Sequence, residues 1–129
     1  MDSNLKGSVT ELNVMTSFME NGYCVSVPYG NYSHYDFVAD INDNLIRIQC
    51  KTAYKTKENT YKVLFNCSRR TRTGIKKFFY TNKDVDYFAT FVEGNCYLFD
   101  VGVQKSKTIN ITNEDSKQYL FENVIKTTS

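Results

Sequence analysis

Glu11, Asp36, Gln49 and Lys51 are the residues of this 129-residue sequence whose types and order could do chemistry together. Gln49 and Lys51 are two positions apart, so in a β-strand their side chains would stand on the same face of a sheet. Carboxylate and amide oxygens are hard ligands that suit Mg²⁺ or Mn²⁺. A lysine beside such an ion would orient an attacking water and stabilise charge that develops on a phosphate. The set therefore predicts metal-assisted hydrolysis of a phosphate ester.

Each of these residues also has an ordinary structural explanation when it is taken alone. Glu11 is typical of a solvated helix surface, and Asp36 of a residue that caps a turn. Gln49 and Lys51 would commonly form the polar face of a half-exposed strand. The combination of a helix acid, a strand acid and a Gln-x-Lys strand, in this order, is what favours a site.

The element that would position Glu11 is a helix from Leu5 to Asn21. Its apolar residues recur at spacings of three and four and predict one stripe that faces a core: Leu5, Val9, Leu12, Met15 and Met19. Gly22 follows as the residue expected just past a helix end.

The other three residues would be positioned by a β-hairpin. The β-like runs Tyr35–Ile41 and Leu45–Thr52 are separated by Asn42-Asp43-Asn44, which is a strong hairpin turn. Because the two runs would pair, Asp36 is expected to lie opposite the Gln-x-Lys pair.

The rest of the chain predicts further short elements. Strands are expected at Tyr23–Val27, Tyr61–Cys67, Asp86–Val92, Asn95–Val101 and Thr108–Ile111, and short helices at Gly74–Phe79 and after Asn113. This order of helix and strands predicts an α/β (α+β) fold. The length fits one domain over residues 1–129, since domains most often have about 100–150 residues.

Charge gives a weaker indication of a partner. The net charge is only +2. One segment is strongly basic, has no acidic residue and is interleaved with Ser and Thr, which also bind phosphates: Arg69, Arg70, Arg72, Lys76 and Lys77. This segment predicts contact with a nucleic acid, the alternative being an ordinary solvated surface.

The cysteines and the N-terminus indicate the compartment. Cys24, Cys50, Cys67 and Cys96 form no CxxC motif, which argues against a zinc site. No signal peptide is recognisable, and no apolar run approaches the ~18 residues of a membrane helix. We therefore expect an intracellular protein, cytoplasmic or associated with the nucleoid, with no membrane partner.

Several sequence blocks together resemble a known superfamily. They are Lys6-Gly7-Ser8-Val9-Thr10-Glu11, Gly22-Tyr23-Cys24-Val25-Ser26-Val27-Pro28-Tyr29-Gly30, Tyr35-Asp36-Phe37-Val38, Ile48-Gln49-Cys50-Lys51-Thr52 and Val85-Asp86-Tyr87-Phe88-Ala89. Over residues 6–101 they resemble the PD-(D/E)xK nucleases, and in detail the group I intron-encoded homing endonucleases of that superfamily. The resemblance implies a restriction-endonuclease-like core, with a mixed β-sheet flanked by helices.

The resemblance also implies roles for the candidate residues. Glu11, Asp36, Gln49 and Lys51 would be catalytic, and the backbone carbonyl of Cys50 would join the first three as a ligand of Mg²⁺ or Mn²⁺. Most members have Asp or Glu where this chain has Gln49, so the site has one negative charge fewer and should hold its metal less tightly. The intron-encoded branch is similar to this chain in using Gln there. Tyr35 in place of the superfamily's Pro is a common departure.

Residues of the turn before Asp36 are further candidates for contact with DNA: Tyr29, Tyr32, Ser33 and His34. His34 is the only histidine, and it would act as a general base or contact a phosphate, unless it is a partly exposed structural residue. Ser33 would contact a phosphate near the metal.

The leading functional hypothesis is a metal-dependent endonuclease that cuts double-stranded DNA, namely a site-specific homing endonuclease encoded in a group I intron. One chain has one active site, so cutting both strands predicts a homodimer or homotetramer. Two alternatives stay open: a Holliday junction resolvase, and a non-catalytic DNA-binding protein on a nuclease fold.

Overall fold

A computed structural model describes residues 2–30, 32–102 and 104–128. The helices are α1 (Ser3–Glu20) and α2 (Phe121–Thr128), and a 3₁₀ helix spans Glu114–Tyr119. The strands are β1 (Cys24–Ser26), β2 (Phe37–Ile41), β3 (Asn44–Cys50), β4 (Tyr54–Lys57), β5 (Thr60–Leu64), β6 (Asn66–Thr71), β7 (Gly74–Phe79), β8 (Tyr87–Val92), β9 (Asn95–Asp100) and β10 (Ser106–Asn110).

Both ends of α1 are capped by local hydrogen bonds. The side chain of Asp2 accepts from the Leu5 N–H at 2.9 Å, which satisfies one of the orphan donors of the first turn. At the other end, Gly22 has φ +86° and its N–H donates to the Met19 carbonyl, while the Tyr23 N–H donates to the Phe18 carbonyl. These two bonds form a Schellman motif, so the expected glycine stop is confirmed.

The face that α1 buries is not the predicted stripe. Thr10, Val14 and Phe18 are the buried residues of the helix, and the Phe18 ring makes edge contacts with Phe37 and Phe121 at 5.3 and 4.7 Å between centroids. Of the predicted stripe only Met15 is partly buried against the core, whereas the other four residues are exposed: Leu5, Val9, Leu12 and Met19. That prediction was wrong because α1 carries two apolar faces, and periodicity alone cannot tell which of them meets the sheet.

The central sheet has five strands in the order β1-β2-β3-β8-β9. β3 and β8 are parallel, and the other neighbouring pairs are antiparallel. The turn between β2 and β3 has Asn42 at φ 52° and Asp43 at φ 68°, as a type I′ hairpin requires. The mixed sheet with flanking helices confirms the expected fold class.

Two apolar clusters cover the two faces of this sheet. One lies against the helices and includes Val14, Phe18, Ile48 and Phe121. The other lies on the opposite face, where Phe65 stacks on Phe88 with 4.7 Å between ring centroids. In β8 and β9 alternate residues are therefore buried on opposite sides, whereas β2 and β3 contribute only to the cluster against the helices.

The connection between the parallel strands β3 and β8 is built from β-strands. β4 and β5 join β10 in a three-stranded sheet of order β10-β5-β4, and β6 pairs with β7 in a two-stranded hairpin. Such a crossover more often contains a helix, but here none lies in the described part of the connection.

This crossover is also where the predicted elements depart most from the structure. Gly74–Phe79, predicted as a helix, is the strand β7, because a run of Ile and Phe suits a strand and each of its residues pairs across to β6. The predicted strand Tyr61–Cys67 is broken at Phe65 into β5 and β6, and β4 had no counterpart among the predicted elements. No helix of the described residues is long and apolar enough to cross a membrane.

Candidate active site

The backbone at the start of β2 holds Asp36 beside β3. The Asp36 N–H donates to the Ile48 carbonyl at 2.8 Å, and the Cys50 N–H donates to the Asp36 carboxylate at 2.7 Å. These two bonds continue the hairpin register, in which Phe37 faces Ile48. The predicted placement of Asp36 opposite the Gln-x-Lys segment is therefore what the structure has.

Glu11 reaches the same place from α1. The helix packs against the end of β3, where the hydroxyls of Thr10 and Thr52 are 3.4 Å apart. Glu11 and Asp36 line one open cleft of about 340 Å³, together with Val27, Pro28, Gly30, Ser33 and Tyr35. Two carboxylates from distant parts of the sequence therefore share a cleft.

The electrostatics of this cleft disfavour negative charge. Burial raises the pKa of Asp36, more than the Cys50 N–H and the Lys51 ammonium lower it. Burial also raises the pKa of Glu11, and the charge of Asp36 raises it further. A cation bound nearby would favour the charged form of both carboxylates.

Gln49 and Lys51 extend from the end of β3 towards β6. The Lys51 ammonium donates to the Asn66 carbonyl at 3.1 Å, lies 3.4 Å from the Cys67 sulfur, and is 5.9 Å from the centre of the Phe88 ring. The backbone N–H of Lys51 donates to the Ala89 carbonyl of β8 at 2.8 Å. The lysine is therefore fixed by two strands, β6 and β8, and the structure brings it to the same end of the sheet as Asp36.

Two residues that the sequence reasoning did not include contact Gln49. The Cys67 thiol donates to the Gln49 side-chain oxygen at 3.7 Å, and the Tyr80 hydroxyl is hydrogen-bonded to the same side chain. Burial and the neighbouring Cys67 raise the pKa of Tyr80, so its hydroxyl stays protonated. No local pattern marks either residue, because they lie 18 and 31 positions from Gln49 and meet it only through the crossover.

A second interaction fixes β3 against the residues before β8. Arg47 donates to the Asp86 carboxylate through its backbone N–H at 2.8 Å, its Nε at 3.1 Å and one terminal nitrogen at 3.1 Å. Burial alone would raise the pKa of Asp86, but the bonds from Arg47 outweigh it and lower the pKa. Arg47 lies two residues before Gln49 on β3, and its bonds to Asp86 stabilise the parallel register of β3 with β8.

The donor set of the cleft suits a hard divalent cation. Among the described residues, no group of three or more His, Cys, Asp and Glu side chains is arranged around a common point. The cleft is lined by the two carboxylates, whereas the Gln49 amide is not part of its lining and is bonded to Cys67 and Tyr80. Mg²⁺ binds such oxygen donors while it keeps several of its own waters, and Mn²⁺ accepts the same set. The residues present therefore fit either ion.

The turn residues before Asp36 lie around the opening of the site. Tyr29 and Tyr32 are fully exposed, and Ser33 lines the cleft itself. The His34 imidazole lies 5.1 Å from the Tyr80 ring and 3.9 Å from the Asp84 carboxylate. His34 therefore lies next to Tyr80, which is bonded to Gln49, and is not among the residues that line the cleft.

The predicted basic segment forms the β6–β7 hairpin. Arg72 and Lys76 are exposed, whereas the side chains of Arg69, Arg70 and Lys77 lie outside what the structure describes. The charge bias is wider than this hairpin, because residues 51–83 contain ten of the 16 Lys and Arg residues and only one of the 14 acids, Glu58. The whole crossover is therefore basic, and both of its strand pairs are connected to the site: β4 follows Lys51 closely, and β6 begins at Asn66.

Comparisons with known proteins bear on the family and the fold of the chain. A family model described as PD-(D/E)XK endonuclease matches residues 1–127. No curated protein sequence matches the chain. Among solved structures, the bacterial homing endonuclease I-Ssp6803I has the same fold, with a TM-score of 0.82 and 22% sequence identity over 99% of this chain and 96% of that chain. At that identity the likeness concerns the fold.

Proposed function

The chain belongs to the PD-(D/E)XK endonuclease family, and on that premise we propose that it is a metal-dependent endonuclease that hydrolyses phosphodiester bonds in double-stranded DNA. The observation that carries this proposal is the cleft in which Glu11 and Asp36 meet beside Gln49 and Lys51. Burial raises the pKa of both acids there, and a bound cation would favour their charged forms.

Four groups would hold the ion: the side chains of Glu11, Asp36 and Gln49, and the backbone carbonyl of Cys50. A bound Mg²⁺ or Mn²⁺ supplies Lewis-acid stabilisation of the phosphate and a more acidic water. The chain's own residues do the rest. The Cys50 N–H orients the Asp36 carboxylate, and Lys51 orients the attacking water and stabilises charge on the phosphate.

Lys51 is already prepared for this role by its surroundings. Its ammonium is held by the Asn66 carbonyl and lies next to the Cys67 sulfur, so it loses little freedom when a phosphate enters. Gln49 is restrained in the same way by Cys67 and Tyr80. A site in which the lysine and the amide are held before substrate binds is a site built for positioning rather than for covalent chemistry.

We propose that DNA lies along the basic crossover and the turn that opens the cleft. The phosphate contacts would come from the β6–β7 hairpin, through Arg69, Arg70, Arg72, Lys76 and Lys77. Tyr29, Tyr32, Ser33 and His34 would contact the strand being cut. Exposed aromatic and basic side chains next to a hydrolytic site are the combination that nucleic-acid binding requires.

Within this activity we propose a site-specific homing endonuclease encoded in a group I intron, acting inside the cell on chromosomal DNA. Support comes from the Gln49 departure that this chain shares with the intron-encoded branch, and from the fold likeness to I-Ssp6803I over nearly the whole of both chains. We further propose that residues 1–129 act as one domain and that two or four chains assemble, because one site cuts one strand at a time.

The test is incubation of the purified chain with Mg²⁺ or Mn²⁺ and a panel of plasmid, linear duplex and four-way junction DNA, with Lys51→Ala as the matched control. Metal-dependent cutting of duplex at a defined position is the expected result. Cutting confined to junctions would instead make the protein a Holliday junction resolvase. Binding without cutting in either metal would make it a non-catalytic DNA-binding protein on a nuclease fold.

A further inference from the structure

Helix α1 exposes a line of large apolar side chains on the side away from the sheet. Leu5, Val9, Leu12 and Met19 have 51%, 39%, 60% and 53% of their surface exposed. Together with the exposed Thr16 they follow the spacing four, three, four, three. Single exposed apolar residues are normal on proteins, but a continuous row of four on one helix marks an interaction surface.

The position of this row on the helix is fixed by the turn angle of about 100° per residue. Val14 and Phe18 point at the sheet, and the row of exposed residues lies on nearly the opposite side. Leu12 follows Glu11 by one residue and so points about 100° away from it. The exposed row is therefore separate from both the core and the candidate active site.

A helix that is apolar on two faces is normally covered on both. The sheet covers one face of α1, and no element of the described chain covers the other. The spacing of the exposed row is that of a seam along which two helices pack side by side. The occupant it fits is therefore another helix of similar length.

Charges beside the row identify that helix as a second copy of α1. Lys6, Asn13 and Glu20 follow one another at intervals of seven, so they lie along one flank of the row with Lys6 at one end and Glu20 at the other. When two such helices pack antiparallel, the same flanks meet. Lys6 then lies opposite Glu20 of the partner subunit, and Asn13 lies opposite Asn13 of the partner subunit. A parallel pair would instead bring both lysines to one end and both glutamates to the other.

We infer that the row Leu5, Val9, Leu12 and Met19 is the contact between two copies of this chain, paired through antiparallel α1 helices about a two-fold axis near Asn13. Such a pair would be the assembly that the proposed nuclease needs in order to cut both strands. Only this use of the pair rests on the proposed function. The surface itself is argued from exposure, spacing and charge, so it is tested without reference to cutting.

The first experiment measures the mass of the full chain in solution by light scattering. The wild type is expected as a dimer or a higher even assembly, and Leu12→Glu is expected to halve that mass. The matched control is Leu45→Glu, because Leu45 is 69% exposed but lies on β3. It should leave the mass unchanged, and circular dichroism should show that both variants remain folded. A monomeric wild type, or a Leu12→Glu variant with the wild-type mass, would overturn the inference.

The second experiment tests the antiparallel arrangement by charge reversal. Lys6→Glu and Glu20→Lys each place like charges together at two symmetric contacts, and each should raise the dimer Kd by about 2- to 30-fold. The double variant recreates opposite charges and should restore the wild-type Kd. Single variants without effect, or a double variant weaker than both, would overturn the antiparallel pairing.

Cutting assays then separate this inference from the proposed nuclease. If both hold, Leu12→Glu should still nick supercoiled plasmid but should lose concerted cutting of both strands. If no variant cuts DNA while the masses change as expected, the interface stands and the nuclease proposal fails. If cutting is normal in every variant and the masses do not change, the interface fails and the nuclease stands.

Discussion

The two parts of the chain that meet at the candidate site are built in different ways. Glu11, Asp36, Gln49 and Lys51 are carried by α1 and by the β2–β3 hairpin, whose geometry is set by neighbours in the sequence. Their surroundings come from the crossover between β3 and β8, whose contacts with the site span 15 to 31 positions. The first part places the acids and the lysine, and the second part holds the lysine and the amide in position and provides the positive charge.

The reacting groups and the residues that support them are therefore separable. If the helix and hairpin carry the chemistry, changes there should abolish cutting and leave DNA binding intact. If the crossover carries DNA binding and positioning, changes there should alter affinity or rate by smaller factors.

The largest effect is expected from Asp36→Asn and from Lys51→Ala. Each should lower the rate of cutting at least 10³-fold, because each removes a group that acts on the metal or the phosphate. DNA binding measured without metal should change little. Asp40→Asn is the control, since Asp40 lies on β2 but is exposed and outside the cleft. Cutting at the wild-type rate by either variant would remove the site from this end of the sheet.

The next effect is expected in the crossover, from the triple variant Arg69→Ala, Arg70→Ala, Arg72→Ala. Each lost phosphate contact should reduce the dependence of log Kd on log salt by about 0.9 on duplex DNA. Affinity should fall for all sequences alike, while the rate of cutting from the bound state should be kept. Lys117→Ala is the control, because that lysine pairs with Glu114 and lies outside the crossover. An unchanged salt slope would leave the hairpin as an ordinary solvated surface.

A smaller effect is expected where the crossover touches the hairpin, at Cys67 and Tyr80. Cys67→Ala and Tyr80→Phe should each lower the single-turnover rate by about 10-fold with little change in DNA affinity, because they restrain Gln49 and Lys51 without touching the phosphate. Cys24→Ala is the control, since that cysteine is exposed on β1. Loss of affinity instead of rate would assign these residues to DNA binding.

Gln49 gives a finer test of the metal site. Gln49→Glu adds a negative charge to the donor set and should tighten Mg²⁺ binding, whereas Gln49→Ala should weaken it. Titration of the metal dependence of cutting distinguishes the two outcomes. Equal metal affinity in both variants would mean that residue 49 is not a ligand, and its bonds to Cys67 and Tyr80 would then be its whole role.

The same division explains how much was predictable from sequence. Asp36 was correctly placed opposite Gln49 and Lys51 because Asn42 and Asp43 dictate a tight turn, which fixes the register of the hairpin. The crossover was not predicted correctly, since β7 was predicted as a helix. Cys67 and Tyr80 were not predicted as part of the site, because they carried no local signal in the sequence. α1 was correctly placed along the sequence but rotated incorrectly, because Val14 and Phe18 form one apolar face and Leu5, Val9 and Leu12 another.

The smallest effect is one of stability, and it separates the site acid from the structural acid. Burial raises the folded-state pKa of Asp36 above its ordinary value of 3.8, so over the pH range between the two values the folded state binds more protons than the unfolded state. Stability must fall as pH rises through that range, and above it the charge of Asp36 is a fixed cost. In chelator, Asp36→Asn should therefore be more stable than the wild type at neutral pH, with a gain that shrinks towards pH 3.

The effect of Asp86 on stability has the opposite sign. Arg47 lowers the pKa of Asp86, so at pH values above its unfolded-state pKa the charge of Asp86 stabilises the fold. Asp86→Asn should accordingly be less stable at neutral pH, with a loss that shrinks as the pH falls. Chemical denaturation across pH measures both differences, and adding Mg²⁺ should stabilise the wild type and Asp86→Asn but not Asp36→Asn. If the two variants shift stability in the same direction at neutral pH, Asp36 is a structural residue like Asp86, and the distinction between reacting groups and support fails at its centre.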